Sequence, residues 1–196
     1  MGDDVTSRQK KIHQLLAQEI DDGEDLAAEA RKMVGYLLLE KKGYRPEDVL
    51  KGVAFEVELG DETAWSSVDF IVLVDGRKAM IIKCAAGSLD SRQRQAVAAA
   101  RVIASPPVPV AVVADPENAE VLDVATGKVV GEGFGAIPVK GQLLRILAET
   151  EPRPLAIERI EKEKRILLAF DSIKCCVPQG TDGGMRLDSG AIKETS

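Results

Sequence analysis

Two charged residues lie inside otherwise apolar runs and are the strongest candidates for chemistry. Asp69 stands in VDFIVLV (68–74), and Lys83 stands in MIIKC (80–84). Charged side chains are seldom buried without a partner, so each of these needs one. The Asp-Gly dipeptide between the two runs is a strong hairpin signal, which makes the strands antiparallel. The sequence therefore predicts that Asp69 and Lys83 lie close together across one strand pair, as an ion pair or as part of a site.

A carboxylate and a lysine at the rim of a sheet can do hydrolytic chemistry with a divalent cation. The cation lowers the pKa of a bound water and neutralises the charge that develops on a phosphate. Asp69 would be one ligand, and Glu56 or Glu58, one strand earlier, would supply a further oxygen. Mg²⁺ suits such a site, because it needs few carboxylates and keeps several waters.

The elements that must position these residues follow an α/β pattern. We expect a mixed central sheet of about five strands, flanked by helices. Residues 60–67 read as a loop, and Ser88 or Asp90 is the expected cap of the helix that follows the hairpin. The predicted helices cover 25–42, 88–104, 140–150 and 154–173, and the predicted strands cover 53–59, 68–74, 78–84, 108–115 and a hairpin at 119–130.

The order of these segments resembles a known superfamily over roughly residues 25–132. The segments are GYRPEDV, VELG, VDFIVLVDGRKAMIIKC, RQRQAVAAARVI, PVAVVAD and DVATGKVV. Their order resembles the restriction-endonuclease-like, or PD-(D/E)xK, nucleases. More narrowly, it is similar to the N-terminal nuclease domain of type I restriction enzyme R subunits. The resemblance implies a restriction-endonuclease-like fold and a Mg²⁺-dependent endodeoxyribonuclease ancestry.

The resemblance also implies roles for individual residues. Asp69 matches the metal-binding aspartate, and Lys83 matches the lysine that orients the attacking water. The second metal-binding acid should stand two residues before the lysine, but that residue is Ile81, which cannot ligate a metal. The resemblance thus implies an incomplete site, unless an acid from elsewhere replaces the missing one. The acids considered for this are Glu29, Glu40, Glu56, Glu58 and Asp90.

The helix after the hairpin carries the candidates for nucleic-acid contact. Its glutamines, Gln93 and Gln95, correspond to a glutamine that assists some superfamily members. Together with Arg92 and Arg94 they are expected on an exposed helix face, where they could contact a phosphate backbone. The net charge of −6 argues against general nucleic-acid binding, but it leaves room for a local basic cleft.

The remaining features of the sequence indicate how the chain is divided and where the protein is expected to be located. Its 196 residues predict an N-terminal helical extension (1–24), a core domain (25–150), an amphipathic helix (151–175) and a mobile tail (176–196). The three cysteines show no disulfide spacing, and no apolar run reaches the length of a membrane span. We therefore expect a cytoplasmic protein that has no membrane partner. The apolar side of the long helix is predicted to comprise Leu155, Ile157, Ile160, Ile166, Leu167 and Phe170.

Three functional hypotheses follow from the sequence. The first is a nuclease-fold accessory protein with an incomplete metal site, which binds nucleic acid or a protein partner. The second is an active Mg²⁺-dependent endonuclease with a relocated acid. The third is a dimerisation or docking module that uses the long helix near the C-terminus.

Overall fold

The computed structural model describes residues 26–85 and 88–171, together with the backbone of 186–187. The predicted N-terminal helical extension (1–24), Cys175, Cys176 and most of the predicted tail lie outside the described residues.

The sheet is mixed and open. The strands lie in the order β6-β5-β4-β3-β2-β1-β7. The β3–β4 and β1–β7 pairs are parallel, and the others are antiparallel. The predicted mixed sheet is confirmed, although it has more strands than the expected five. Its strands are β1 (Val49–Leu59), β2 (Glu62–Val74), β3 (Arg77–Cys84), β4 (Val110–Ala114), β5 (Ala119–Asp123), β6 (Lys128–Glu132) and the two-residue β7 (Arg186–Leu187).

Four helices flank the sheet, two on each face. Helix α1 is α-helical over 26–36 and continues as a π-helical turn at Leu37–Lys41. The others are α2 (Asp90–Val102), α3 (Lys140–Glu149) and α4 (Ile157–Asp171), with short 3₁₀ turns at Pro46–Asp48 and Phe134–Ala136. The fold class predicted from the sequence, α/β with flanking helices, is therefore confirmed.

Each face of the sheet has its own hydrophobic core. The α2–α4 core joins α2 and Leu167 of α4 to one face, and it includes Ile71 and Ile81. The α1–α3 core joins Val34 and Leu38 of α1 and Leu143 of α3 to the other face. Because both faces of the central strands are covered, β2 and β3 read as continuous apolar runs.

Helix α2 is buried all round over seven consecutive residues, Gln95 to Arg101. Four of them are alanines, whose small side chains let the helix approach both the sheet and α4. This sandwiched position explains how polar side chains of α2 come to be buried.

Three local predictions need correction. Residues 62–67 are strand rather than loop, because they pair with β1 as far as Leu59↔Glu62. The N-terminal cap of α2 is Leu89, without a side-chain hydrogen bond, so neither Ser88 nor Asp90 caps it. The predicted apolar side of α4 is right only in part. Leu167 is buried and Ile166 packs against the α2–α4 core, but Ile157 is 74% exposed, and the buried positions also include the acids Glu163 and Asp171.

In the part of the chain that the structure describes, no helix combines the length and the apolarity that crossing a membrane requires.

Candidate functional site at a strand fork

The two residues singled out in the sequence lie where β2 and β3 separate. The strands start from an Asp-Gly turn in which both residues have positive φ, as a two-residue hairpin of type I′ requires. Their pairing runs to Phe70↔Ile82. One residue further on, side chains replace the backbone ladder. Asp69 Oδ2 accepts from the Cys84 amide at 2.7 Å, and Lys83 Nζ donates to the Ser67 carbonyl at 2.8 Å. We call this place, formed by Ser67, Asp69, Lys83 and Cys84, the fork.

A glycine on β1 lies opposite the fork. The pairs Lys51↔Phe70 and Val53↔Val68 flank Gly52, which places it across from Asp69. Gly52 has φ +58°, which L side chains rarely adopt. The side chains of β2 switch faces of the sheet at this point. Phe70 packs into the α1–α3 core, whereas Val68, two residues away, packs into the α2–α4 core. Gly52 therefore lets the β1–β2 hairpin turn away from β3 at the fork.

Among the described residues, Asp69 forms an ion pair with Arg31 of α1. Arg31 Nη1 lies 3.5 Å from Asp69 Oδ1, and the Arg31 side chain is 46% exposed. The sequence analysis expected Asp69 and Lys83 on neighbouring strands of one hairpin, and both lie at the fork. It did not indicate Arg31, which lies 38 residues before the aspartate. The pair is long and partly exposed, so its contribution to stability is small.

The fork also changes the chemistry of the neighbouring thiol. Burial raises the pKa of Cys84, and the carboxylate of Asp69 raises it further. A thiol with a raised pKa is mostly neutral at pH 7, which disfavours a role as a nucleophile or a thiolate ligand.

The residues at the fork do not fit Mg²⁺. Ile81, where the resemblance expects an acid, is fully buried in the α2–α4 core. Glu56 pairs with Trp65, four residues beyond Gly52, so it lies about 13 Å along the strand from the point opposite Asp69. Among the described residues, no group of three or more His, Cys, Asp or Glu is placed to hold a metal ion. The ligand roles of Asp69 and Glu56 stay predictions.

The predicted nucleic-acid residues of α2 have different environments. Gln93 is half-buried and donates to Asp90 Oδ1 at 3.0 Å and to Glu120 Oε2 at 2.9 Å. Arg92 is half-buried and reaches Gln95 Oε1 at 3.4 Å. The expectation that Gln95 lies on an exposed face needs correction, because it is 1% exposed.

Gln95 instead joins α2 to the end of α4. Its Nε2 donates to Asp171 Oδ1 at 3.0 Å. The other carboxylate oxygen, Asp171 Oδ2, is buried and finds no hydrogen-bond partner among the described residues. Asp171 thus brings a second carboxylate to the side of the sheet on which Ile81 is buried.

A buried carboxylate on α4 is held by three guanidinium groups. Glu163 is 0% exposed, and its oxygens lie 2.8 Å from Arg101 Nη1, 2.6 Å from Arg94 Nη2 and 3.0 Å from Arg159 Nε. Burial alone would raise the pKa of Glu163, but the guanidinium groups, Arg101 foremost, outweigh it, so the pKa lies below its ordinary value. Arg101 also donates to the Val124 carbonyl at 3.0 Å. This cluster fixes α4 on α2.

Sequence reasoning missed this cluster, although a signal was present. Arg101 is a lone cation after an alanine run, and Glu163 shares the four-residue spacing of Leu167 and Asp171. Such spacing places all three on one face of α4. What the pattern could not supply was the partner, since Arg101 and Glu163 are 62 residues apart.

A polar groove of about 470 Å³ opens above this cluster, between α2 and α4. Its cations are Arg94, Arg159 and Lys162, together with the buried Arg101, and its acids are Asp90 and Glu163. Arg94 and Arg159 are 44% and 50% exposed, so their outer nitrogens face solvent. We call the exposed cations Arg94, Arg159 and Lys162 the basic groove. The positive charge of this groove contrasts with the net charge of −6 of the whole chain.

These features define an α/β domain built on an open mixed sheet, with an acid and a lysine at a strand fork. The sequence matches the family described as Type I restriction enzyme R protein N terminus (HSDR_N) over residues 27–138, which is more than half of the chain. The chain therefore belongs to this family, as the resemblance predicted. No curated protein and no solved structure shows significant similarity to it. Helix α4 lies beyond the matched residues but packs against α2 within them.

Proposed function

We propose that the chain is a PD-(D/E)xK-type nuclease domain that has lost its cation site and serves as a DNA-binding accessory domain. The single observation that carries the proposal is Ile81. It occupies the position of the metal-binding acid, and it is fully buried in the α2–α4 core. An apolar side chain that completes a core is not easily exchanged for a ligand.

The bonds at the fork support the same proposal. Asp69 accepts a hydrogen bond from the Cys84 amide and forms an ion pair with Arg31, and Lys83 donates a hydrogen bond to the Ser67 carbonyl. In this arrangement both residues stabilise the point where the ladder ends. A Mg²⁺ ion would need near-octahedral oxygen ligands, and Asp69 alone would have to give up existing bonds to provide one. The residues of the former site thus have a structural role that needs no cation.

DNA is the partner that the surface charge favours. The exposed cations of the basic groove lie side by side on α2 and α4, and Gln93 lies at its edge. Phosphate contacts need such clustered Lys and Arg side chains, and they supply most of the affinity of non-specific binding. Arg92 and Gln93 extend the proposed contact, whereas Gln95 serves only inside the domain.

The second candidate function, an active endonuclease with a relocated acid, is favoured by one observation. The buried oxygen Asp171 Oδ2 has no hydrogen-bond partner among the described residues, and Asp171 belongs to α4, which packs on the face of the sheet where Ile81 is buried. Asp171 is therefore the acid that this alternative would use. It was not among the acids that sequence analysis considered.

A plasmid assay separates the two functions. We expect no cutting of supercoiled plasmid by the wild-type chain with Mg²⁺ or Mn²⁺, because one carboxylate does not hold a catalytic cation. Asp69→Ala, Lys83→Ala and Asp171→Asn should behave like the wild type on agarose gels. Cutting by the wild type that disappears in all three variants would establish the endonuclease and reject the accessory role.

A charge reversal in the basic groove tests the DNA contact. We expect Lys162→Glu to weaken binding of a short DNA duplex about tenfold at low salt, and to reduce the salt slope by about 1 to 2. Fluorescence anisotropy over a salt series measures both quantities. Lys32→Glu is the matched control, because it makes the same charge change on an exposed residue of α1. An equal loss in both variants, or no binding by the wild type, would remove DNA as the partner.

Docking through α4 remains a separate prediction. The inner face of α4, with Glu163, Leu167 and Asp171, is already buried within the chain. A protein partner or a second copy would therefore meet the outer face, which includes the exposed Ile157. A cytoplasmic location also stays a prediction.

A further inference from the structure

A cavity of about 510 Å³ lies at the opposite end of β3 from the fork. It is enclosed by the start of β3 at Arg77 and Lys78, the α2–β4 connection at 104–109, the end of β5 and the α3–α4 connection at 150–155. Arg77 and Cys84 are the two ends of β3, so the cavity and the fork are about 23 Å apart along the strand. The volume is typical of sites for small molecules.

The walls of this cavity are largely apolar. Val108 and Leu147 are 1% and 9% exposed and form part of its floor. Prolines contribute carbon surface without a backbone N–H that would need a partner, which keeps the walls free of orphan donors. The other apolar lining residues are Ala104, Pro106, Pro107, Pro109, Val124, Ala125, Pro152 and Leu155.

Cations outnumber acids at the edge of the cavity. Lys78 reaches it from β3 and donates to the Ile103 carbonyl at 3.1 Å, and burial lowers the pKa of this lysine. Arg77 beside it is exposed. The acid Asp123 accepts hydrogen bonds from the Ala125 and Thr126 amides of its own turn.

The second acid at the edge, Glu151, is paired with Arg153 at 2.8 Å. The hydrogen bonds of Asp123 and the ion pair of Glu151 are thus made with residues other than Arg77 and Lys78. The cavity therefore combines a positive edge with apolar walls, although the net charge of the chain is −6.

We propose that this cavity binds a small molecule with an apolar body and one anionic head group. The body packs against Val108, Leu147 and the proline-rich connection, and the head group pairs with Lys78 and Arg77. A carboxylate, sulfonate or phosphate meets the requirement, because each accepts charge-assisted hydrogen bonds from these cations. A cationic amphiphile of the same size is excluded by charge. The site uses neither Asp69 nor Lys83, so it stands whether or not the fork binds a metal.

The probe for this proposal is 8-anilinonaphthalene-1-sulfonate, which joins an apolar body to a sulfonate. We expect it to bind the folded chain with saturation at one equivalent and a rise in fluorescence. Octanoate should displace it, and octylamine at the same concentration should not. Lys78→Gln should weaken octanoate about tenfold and leave octanol unchanged, because a hydrogen bond to a charged group is lost. Lys51→Gln, which removes an exposed cation from β1, is the matched control.

A filling variant tests the location. Ala104→Phe places a ring in the cavity and should abolish probe binding while the far-ultraviolet circular dichroism stays unchanged. Unchanged probe binding in this folded variant would overturn the proposal. If Ala104→Phe fails to fold, Arg77→Gln decides the matter, since Arg77 is exposed and its loss should still weaken octanoate but not octanol. Displacement by octylamine as effective as by octanoate would equally overturn it.

Discussion

Glu163→Gln should lower the free energy of unfolding by about 3 kcal/mol or more, a large loss for the removal of one charge. The substitution removes the charge that compensates Arg101, which is itself 5% exposed, and it leaves that guanidinium buried beside a neutral amide. Breaking a buried pair is costly for this reason, even where the intact pair contributes little. Urea unfolding followed by circular dichroism measures the loss.

The matched control for this change lies on the same helix. Glu161→Gln removes a carboxylate that is 47% exposed and lies 3.6 Å from Arg165, so we expect a change within about 0.5 kcal/mol. Similar losses in the two variants would mean that the buried cluster does not hold α4 on the sheet.

The acid dependence of stability offers a second measure of the same residue. The folded-state pKa of Glu163 is depressed, so its contribution to stability is fully present above the ordinary glutamate value of about 4.5 and is lost as the pH falls through the folded-state value. Between pH 5 and pH 3 the wild-type chain should therefore lose more stability than Glu163→Gln. Parallel pH profiles for the two chains would contradict the depressed pKa.

Ile81→Glu is expected to have the second large effect on stability. It tests the proposal that the fork once held a metal-binding acid at this position. The introduced carboxylate replaces a fully buried side chain of the α2–α4 core. We expect a loss of more than about 4 kcal/mol without a divalent cation, since the charge is buried without a designed partner. Added Mn²⁺ should restore part of the loss, because a ligand that binds only the folded state stabilises it.

The control for this experiment is Ile81→Gln. The introduced glutamine has nearly the same shape as the introduced glutamate, and both variants lose the apolar contacts of Ile81. Only the glutamate offers a charge to a cation. Thermal unfolding of both variants with and without Mn²⁺ measures the difference, and calorimetry measures the affinity. Recovery in Ile81→Glu alone supports a lapsed site. Identical behaviour of the two variants would mean that the surroundings of Ile81 and Lys83 are not built for a cation, and the proposed nuclease ancestry of the fork would lose its main support.

Local signals were sufficient for most of the elements. The Asp-Gly turn fixed the β2–β3 hairpin, because few residues tolerate positive φ at both central positions. The register of that hairpin then placed Asp69 and Lys83 at one fork. Local signals failed at residues 62–67, whose polar composition resembles a loop. Those residues are strand because β1 offers them a complete ladder, and a ladder between strands is not visible within either strand alone.

The candidate site divides in the same way. The sequence by itself predicted the α/β sheet. Through the resemblance it also predicted that Asp69 and Lys83 lie at one site and that Ile81 stands where an acid is expected, and these two assignments stay predictions. Only the tertiary structure decided that Asp69 pairs with Arg31, that Gln95 is buried against Asp171, and that Glu163 gathers three arginines. The physical reason is distance along the chain. Hydrophobic period and turn chemistry act over a few residues. Apart from Arg159, which lies four residues from Glu163 on the same helix, these partners are 38 to 76 residues apart in the chain and meet only after both faces of the sheet are covered.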